Sequence, residues 1–380
     1  VAESTRLVEL VHSRIDEFIN TRESIVTTIS PDLAVLVEFS RQFLSGGKRF
    51  RARFAQLGWQ SVSRSTSGSA AAAPDAHLDG GSSTGTALAG LVSAASALEV
   101  FHAAALVHDD IIDHSDTRRG APSAHRRFES LHGSNGWAGS PADFGRASAI
   151  LLGDLLLGWS DELLDEGLDD AADRASARRA RAQFNLMRTE VTAGQYLDIL
   201  EERAWITQPE AELLERAERV IVFKSAKYSV QAPLVIGAAL AGADDDHLDV
   251  LRAFGLPLGI AYQLRDDLLG VFGDAAVTGK PSGDDLREGK RTVLIALARE
   301  RLDARTLGTV DRLLGRADLQ AEQITTLQQI IVDSGAVDRV ETLIQHNVAE
   351  ALKALDGSGV APGVVVALTD FAGTVTRRVF

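Results

Sequence analysis

Leu106-Val107-His108-Asp109-Asp110-Ile111-Ile112-Asp113 closes an apolar, alanine-rich stretch that begins at Thr86. That stretch is about as long as a bilayer is thick, yet it carries Glu99 and His102 and runs straight into three aspartates. A buried helix lining a cavity explains it better than a membrane span. On such a helix Asp109 and Asp113 share one face, with Cβ atoms roughly 6 Å apart. Like charges at that spacing destabilise a helix by roughly a few tenths of a kcal/mol, and by more when partly buried. A divalent cation removes the penalty. All-carboxylate clusters suit hard ions such as Mg²⁺, which takes one or two carboxylates and keeps waters and phosphate oxygens. A second cluster, Asp266-Asp267 in Gln263-Leu264-Arg265-Asp266-Asp267-Leu268-Leu269-Gly270, closes another apolar helical stretch. Two readings fit this pattern: a pair of Mg²⁺–diphosphate sites facing each other across a cavity, or two solvated acidic helix ends.

Bulk properties narrow the function. The net charge is -14, with 53 acids against 39 bases, which argues against nucleic acid as a partner. Cysteine is absent, excluding disulfides, thiol catalysis and cysteine-ligated metals, and suiting a reducing cytosol. The opening Val1-Ala2-Glu3-Ser4-Thr5-Arg6 has an early acid and no long apolar run, unlike a signal peptide. A cytoplasmic protein without a membrane span is expected.

The 380 residues suffice for a large core, and length alone would suit roughly two or three domains. The periodicity is helical nearly throughout. Leu7, Leu10, Val11, Ile15, Phe18 and Ile19, for example, fall on one stripe at spacings of three and four. Alternating strand patterns are scarce, so the expectation is an all-α bundle of about a dozen helices around a central cavity. Residues 62–85 and 132–146, rich in Ser, Gly and Pro, read as two flexible loops. Chemistry-bearing residues lie on both sides of each loop, so one domain over residues 1–380 is expected.

Several cationic groups punctuate this acidic chain. Ser45-Gly46-Gly47-Lys48-Arg49-Phe50-Arg51-Ala52-Arg53 opens with two glycines that let backbone approach a ligand closely. It suits a metal-free diphosphate held by lysine and bidentate arginines, or equally a solvated basic helix start. Thr117-Arg118-Arg119-Gly120 follows Asp113 and reads either as salt-bridge partners of the aspartates or as phosphate ligands. Phe223-Lys224-Ser225-Ala226-Lys227-Tyr228 is a third group. Thr278-Gly279-Lys280-Pro281 with Glu288-Gly289-Lys290-Arg291-Thr292 is a fourth. Each is weak singly; their coincidence with two acid clusters of metal-binding type favours the diphosphate reading.

In the order and spacing of these motifs, together with Gly153-Asp154, Gly194-Gln195 and Phe272-Gly273-Asp274, nearly the whole chain resembles the trans-isoprenyl diphosphate synthases, or polyprenyl synthetases. The resemblance implies Mg²⁺ as cofactor, three ions per active site, with Mn²⁺ as an alternative. It implies isopentenyl diphosphate and an allylic diphosphate (dimethylallyl, geranyl or farnesyl) as substrates, and a homodimer. Asp109, Asp113 and, from the opposite wall, Asp266 would hold metal, with Asp110 and Asp267 in support. Arg118, Lys224 and Lys280 would contact the allylic diphosphate, with Ser225 beside them. Lys48, Arg49, Arg51, His102 and Arg119 would hold the metal-free diphosphate. Gln195 and Gln263 would line the allylic site, and Lys290 would help close a lid. Two positions depart from the family pattern. The second motif commonly reads DDxxD, whereas its fifth position here is Gly270, with Asp274 one turn further on as a candidate replacement. The usual Lys-Thr pair is Lys224-Ser225, which keeps a hydroxyl.

The preceding turns of the Asp109 helix point into the tail pocket. In this family bulky side chains four or five residues before the first aspartate tend to stop growth at fifteen carbons. Here those positions are Ala105 and Ala104. Phe101, about 12 Å from Asp109 at 1.5 Å per residue, is a candidate floor or an ordinary core aromatic. Each added isoprene unit buries five carbons, on the order of 4 kcal/mol, so sterics rather than affinity should end growth. The expected product is C20 geranylgeranyl diphosphate, with farnesyl or longer chains as alternatives. A class I terpene cyclase would not need the metal-free diphosphate site. A catalytically silent partner subunit would usually have lost an aspartate motif.

Overall fold

The computed structural model of the protein describes residues 2–62, 82–273 and 282–377. Among these residues it is all-α, with sixteen α-helices and one two-residue hairpin. The count exceeds the expected dozen because short C-terminal helices, such as Asp284–Glu288 and Val293–Arg299, are too brief to carry a periodic signal. The chain packs as two compact units that interleave in sequence: Val1–Ala182 with Pro233–Asp244, and Gln183–Ala232 with Asp245–Phe380. No Gly/Ser-rich linker marks the exchange points, so composition carries no trace of this division.

In the first unit, α1 (Ala2–Ile29) buries Leu7, Val11, Ile15, Phe18 and Ile19, the stripe read from spacing. After α2 (Ala34–Leu44) and α3 (Phe50–Ser61) comes α4 (Ser82–Ile112), which is apolar on nearly every face. A helix hydrophobic all round is a core helix. Its Ala87–Ile112 portion has the length and apolarity of a membrane span but is mostly buried inside the protein. It packs along α6 (Pro141–Asp169) through small residues. A Cβ on Gly167 would lie 2.7 Å from the Gly90 carbonyl, and Ser160 Oγ donates to the Ala97 carbonyl at 2.8 Å.

Residues 63–81, most of the first expected loop, lie outside the described residues, and from Ser82 that segment is already α4. The second expected loop is shorter than 132–146. α5 (Ala124–Ser134) extends into it, and α6 starts at Pro141, where Ser140 Oγ accepts the Asp143 N–H at 3.3 Å. Ser-Pro there is a helix start, N-cap followed by N1 proline, rather than loop composition.

The second unit takes up α7 (Arg174–Ala204) from Gln183 onward and continues through α8 (Leu213–Val220) into a π-helical segment, Ile221–Gln231. α9 (Ala232–Leu240) returns to the first unit, where Gly58 and Gly237 let α3 and α9 cross backbone to backbone. The second unit resumes with α10 (Asp245–Phe272), which packs on the π segment and on α15 (Ala336–Ala354). Gly259 of α10 lies against the Ala226 backbone, and buried Arg265 donates to both Glu341 carboxylate oxygens at 2.5 and 2.7 Å. Around them stand α11 (Asp284–Glu288), α12 (Val293–Arg299), α13 (Ala304–Leu313), α14 (Ala321–Asp333) and α16 (Pro362–Arg377).

Candidate active site

The first acid cluster sits at the C-terminus of α4, where the helix dipole already disfavours negative charge. The Asp113 N–H still bonds the Asp109 carbonyl at 2.8 Å, so both carboxylates remain on one helical face. Asp110 is fully buried and turned toward Arg118, whose Nε donates to Oδ1 at 2.8 Å and whose Nη2 bonds the same oxygen. That Nη2 also lies 3.4 Å from Asp109 Oδ2. The return of Arg118 is local chain geometry. Thr117–Arg118 (β1) pairs with Ala121–Pro122 (β2), and the turn residues Arg119 and Gly120 both have positive φ, 53° and 75°. Such two-residue turns match strand twist. Burial works against the Arg118 charge, but the hydrogen bond to Asp110 and the charges of Asp110, Asp109 and Asp113 outweigh it and raise its pKa. Behind the cluster, His108 lies against Gly153 of α6, where a Cβ would collide with the imidazole ring. Its Nε2 lies 3.2 Å from the Ile150 carbonyl and 3.5 Å from Asp154.

The basic cluster belongs to the same unit. Lys48 is exposed, and Arg51 is buried in the first turn of α3. Arg119 Nη1 donates to the Ser45 carbonyl at 3.4 Å, and its guanidinium lies where a Cβ on Gly47 would come within 3.3 Å. Gly47, with φ +87°, thus provides both the turn and the close approach. Burial, and then the neighbouring Arg49, lower the Arg119 pKa. His102, two turns before Asp109, is held well below the ordinary imidazole pKa by burial and by Arg51, Arg119, Arg118 and Arg49. Its surroundings therefore disfavour the charged imidazolium. Arg49, expected among the substrate ligands, is buried, donates to the Leu44 carbonyl and faces Glu99 at 3.6 Å.

In the second unit the π-helical segment carries the Lys224 motif. π-Helical turns recur at functional sites because they re-aim side chains. Gly194 of α7 lies against the Lys224 backbone, Lys224 pairs with Asp198, and Lys227 pairs with Glu190. Glu202 nearby has a raised pKa, from burial and then Asp198, opposed by Lys224 and Lys290. On α10, Asp266 is exposed while Asp267 is buried and accepts from Gln263 Nε2 at 2.7 Å. Burial first, then Asp285 and Asp266, push the Asp267 carboxyl up to about 8, against the Gln263 hydrogen bond and Lys290.

Gly270 acquires a physical reason here: a Cβ on it would run into the Asp285 carboxylate of α11. Asp285 therefore occupies the space that a side chain at the fifth motif position would take, and Lys290 Nζ lies 3.5 Å from it and 2.7 Å from Glu288. Asp274, the replacement expected from sequence, and Lys280 lie outside the described residues.

Among the described residues no three acidic or imidazole groups converge into a ready-made metal cage. Asp109 and Asp113 share a face at a helix C-terminus, and Arg118 bonds chiefly to Asp110. That donor set fits Mg²⁺, which completes its shell with water and phosphate oxygens. Of the chain-length residues, Ala105 is partly open, whereas Ala104 and Phe101 are packed in the core. Gln195 and Ser225 are half-buried on α7 and the π segment. Sequence reading missed Glu99, Asp198 and the role of Asp285. Such acids within helices carry no local signal of their own, and only their packing partners distinguish them.

A polyprenyl synthetase family model matches residues 34–331. A geranylgeranyl diphosphate synthase from Sulfolobus acidocaldarius is 31% identical over 319 residues, 83% of each chain. A geranylfarnesyl diphosphate synthase from Aeropyrum pernix is 31% identical over 257 residues, 68% of this chain and 73% of that one. Among solved structures, the geranylgeranyl pyrophosphate synthase from Corynebacterium glutamicum, complexed with isoprenyl diphosphate and magnesium, is similar with a TM-score of 0.87. Their sequences are 37% identical, over 98% of this chain and 99% of that one.

Proposed function

The chain belongs to the polyprenyl synthetase family, and from that premise we propose how its residues divide the work of this prenyltransferase, which condenses isopentenyl diphosphate with an allylic diphosphate. The main product is geranylgeranyl diphosphate, C20. The observation that carries the product length is the pair of alanines before Asp109, with Ala105 bordering open space. Likeness to C20 and C25 synthases supports a product in that range. The test is incubation of purified protein with isopentenyl diphosphate, Mg²⁺ and each allylic primer, followed by product sizing. A mainly C15 or cyclised product refutes the reading.

Residues 1–380 act as one synthase domain. Asp109, Asp113 and Asp266 hold Mg²⁺, with three ions per site. Bound Mg²⁺ supplies Lewis-acid stabilisation of the diphosphate leaving group. Asp110 keeps Arg118 oriented, and Asp198 and the π-helical turn keep Lys224 oriented. These cations, with Lys280, stabilise charge on the departing diphosphate as the allylic carbon–oxygen bond breaks, the electrostatic term that usually contributes most. Asp285 takes the part of the carboxylate absent at position 270. Lys48, Arg51, Arg119 and neutral His102 hold the isopentenyl diphosphate, whose double bond attacks the allylic cation. The adduct loses its proton to the departing diphosphate, so no side-chain base is required. Gln195 and Gln263 orient the allylic partner, and Lys290 joins the closing segment. The exposed Ile150 and Leu151 of α6 support a homodimer, and the setting is cytoplasmic.

A further inference from the structure

Arg49 and Glu99 form a buried ion pair that the condensation chemistry leaves unused. Their side chains are 5% and 6% exposed, and Arg49 Nη1 lies 3.6 Å from Glu99 Oε2. The other Glu99 oxygen, Oε1, accepts the backbone N–H of Ala52 at 3.1 Å. Ala52 is the third residue of α3, and its N–H is one of the first-turn donors that a helix cannot satisfy internally. The local N-cap residue is Arg49, which provides no side-chain cap. Glu99 thus supplies from α4 the cap that the α3 sequence lacks.

Arg49 itself is held in the left-handed region, φ 47°, which a non-glycine residue keeps only when its surroundings over-determine it. The surroundings here are the Leu44 carbonyl at the end of α2, which accepts from Nη2, and the Glu99 carboxylate. Between Leu44 and Arg49 run Ser45, Gly46, Gly47 and Lys48, and Arg119 grips the Ser45 carbonyl from the other side. The turn is therefore clamped at both ends. Lys48 and Arg51, either side of the inward-pointing Arg49, are presented by it.

We propose that Glu99 is the positioning residue of the metal-free diphosphate site. Through the Arg49 guanidinium and the Ala52 N–H it holds the Ser45–Arg51 turn in the shape that sets Lys48 and Arg51, touching neither substrate. This rests on the reading of that turn as the isopentenyl diphosphate site. It assigns Arg49 to the scaffold rather than to the ligand set. A carboxylate is required, because a neutral residue leaves a buried guanidinium uncompensated.

The experiment compares Glu99→Gln, Arg49→Gln and the double variant by steady-state kinetics with each substrate varied in turn. Glu99→Gln keeps an acceptor for the Ala52 N–H and removes only the charge, so it is the variant expected to fold. Expected is a KM for isopentenyl diphosphate raised about tenfold, an allylic KM within about twofold of wild type, and partial recovery in the neutral double variant. A general packing defect would move both KM values together. Equal movement of the two, an unchanged isopentenyl KM, or a double variant worse than either single overturns the proposal. Titration of metal-free inorganic diphosphate into each folded variant gives the same comparison without turnover. Arg51→Ala separates the two levels of the reading. If it leaves the isopentenyl KM unchanged, the site assignment falls and the inference with it. If Arg51→Ala raises that KM and Glu99→Gln does not, the inference alone falls.

Discussion

Restoring the usual fifth aspartate of the second motif, Gly270→Asp, should damage this protein rather than improve it. A side chain at position 270 meets the Asp285 carboxylate, which is the movable end of a short side chain rather than fixed backbone. Alanine in mid-helix gains about 1 kcal/mol over glycine, while overpacking costs about 1–3 kcal/mol. Gly270→Ala should therefore be destabilising by no more than about 2 kcal/mol. Gly270→Asp adds a like charge to a neighbourhood holding Asp266, buried Asp267 and Asp285, and should be destabilising by about 2–3 kcal/mol. Asp285→Ala vacates the space. Combined with Gly270→Asp it returns the carboxylate count to its original value. A double-mutant cycle by urea denaturation, without metal, should then give a favourable coupling of about 1–2 kcal/mol, within the range for residues in contact. Activity of the double variant should exceed that of either single. If the two changes add within about 0.5 kcal/mol, Asp285 does not occupy the position-270 space and the compensation argument fails.

Ala105→Phe should shorten the main product to C15 with folding intact, whereas Ala104→Phe, at a fully buried position, should be destabilising by about 1–3 kcal/mol; product sizing beside thermal melts distinguishes them. Asp109→Ala should abolish turnover at a stability cost below about 1 kcal/mol, while Asp110→Ala, which takes the fully buried partner from half-buried Arg118, should cost about 1–3 kcal/mol. Equal losses in denaturant titration would contradict that division. Because the folded protein holds the His102 pKa down, the unfolded chain binds the extra proton below about pH 6.5, and stability should fall as pH drops through that window. His102→Gln should flatten this acid limb; identical slopes between about pH 5 and 7.5 would refute the assigned environment.

The helical class, the stripe on α1 and the identity of α4 as a core helix ending in acids were all legible from residue spacing, because each depends on contacts within a few turns. The clustering of three aspartates at the end of that helix was equally plain, since it depends only on residues one turn apart. Tertiary structure alone decided which partners the neighbouring cations meet. Arg49 and Arg51 are two residues apart and chemically identical, yet Arg49 is committed to Glu99, forty-eight residues from Arg51 in sequence. Position 270 follows the same logic: the carboxylate that fills the space comes from α11, which local spacing does not indicate. Local periodicity records which face a side chain takes. The partner it meets there depends on helices distant in sequence, and only the packed structure brings those together.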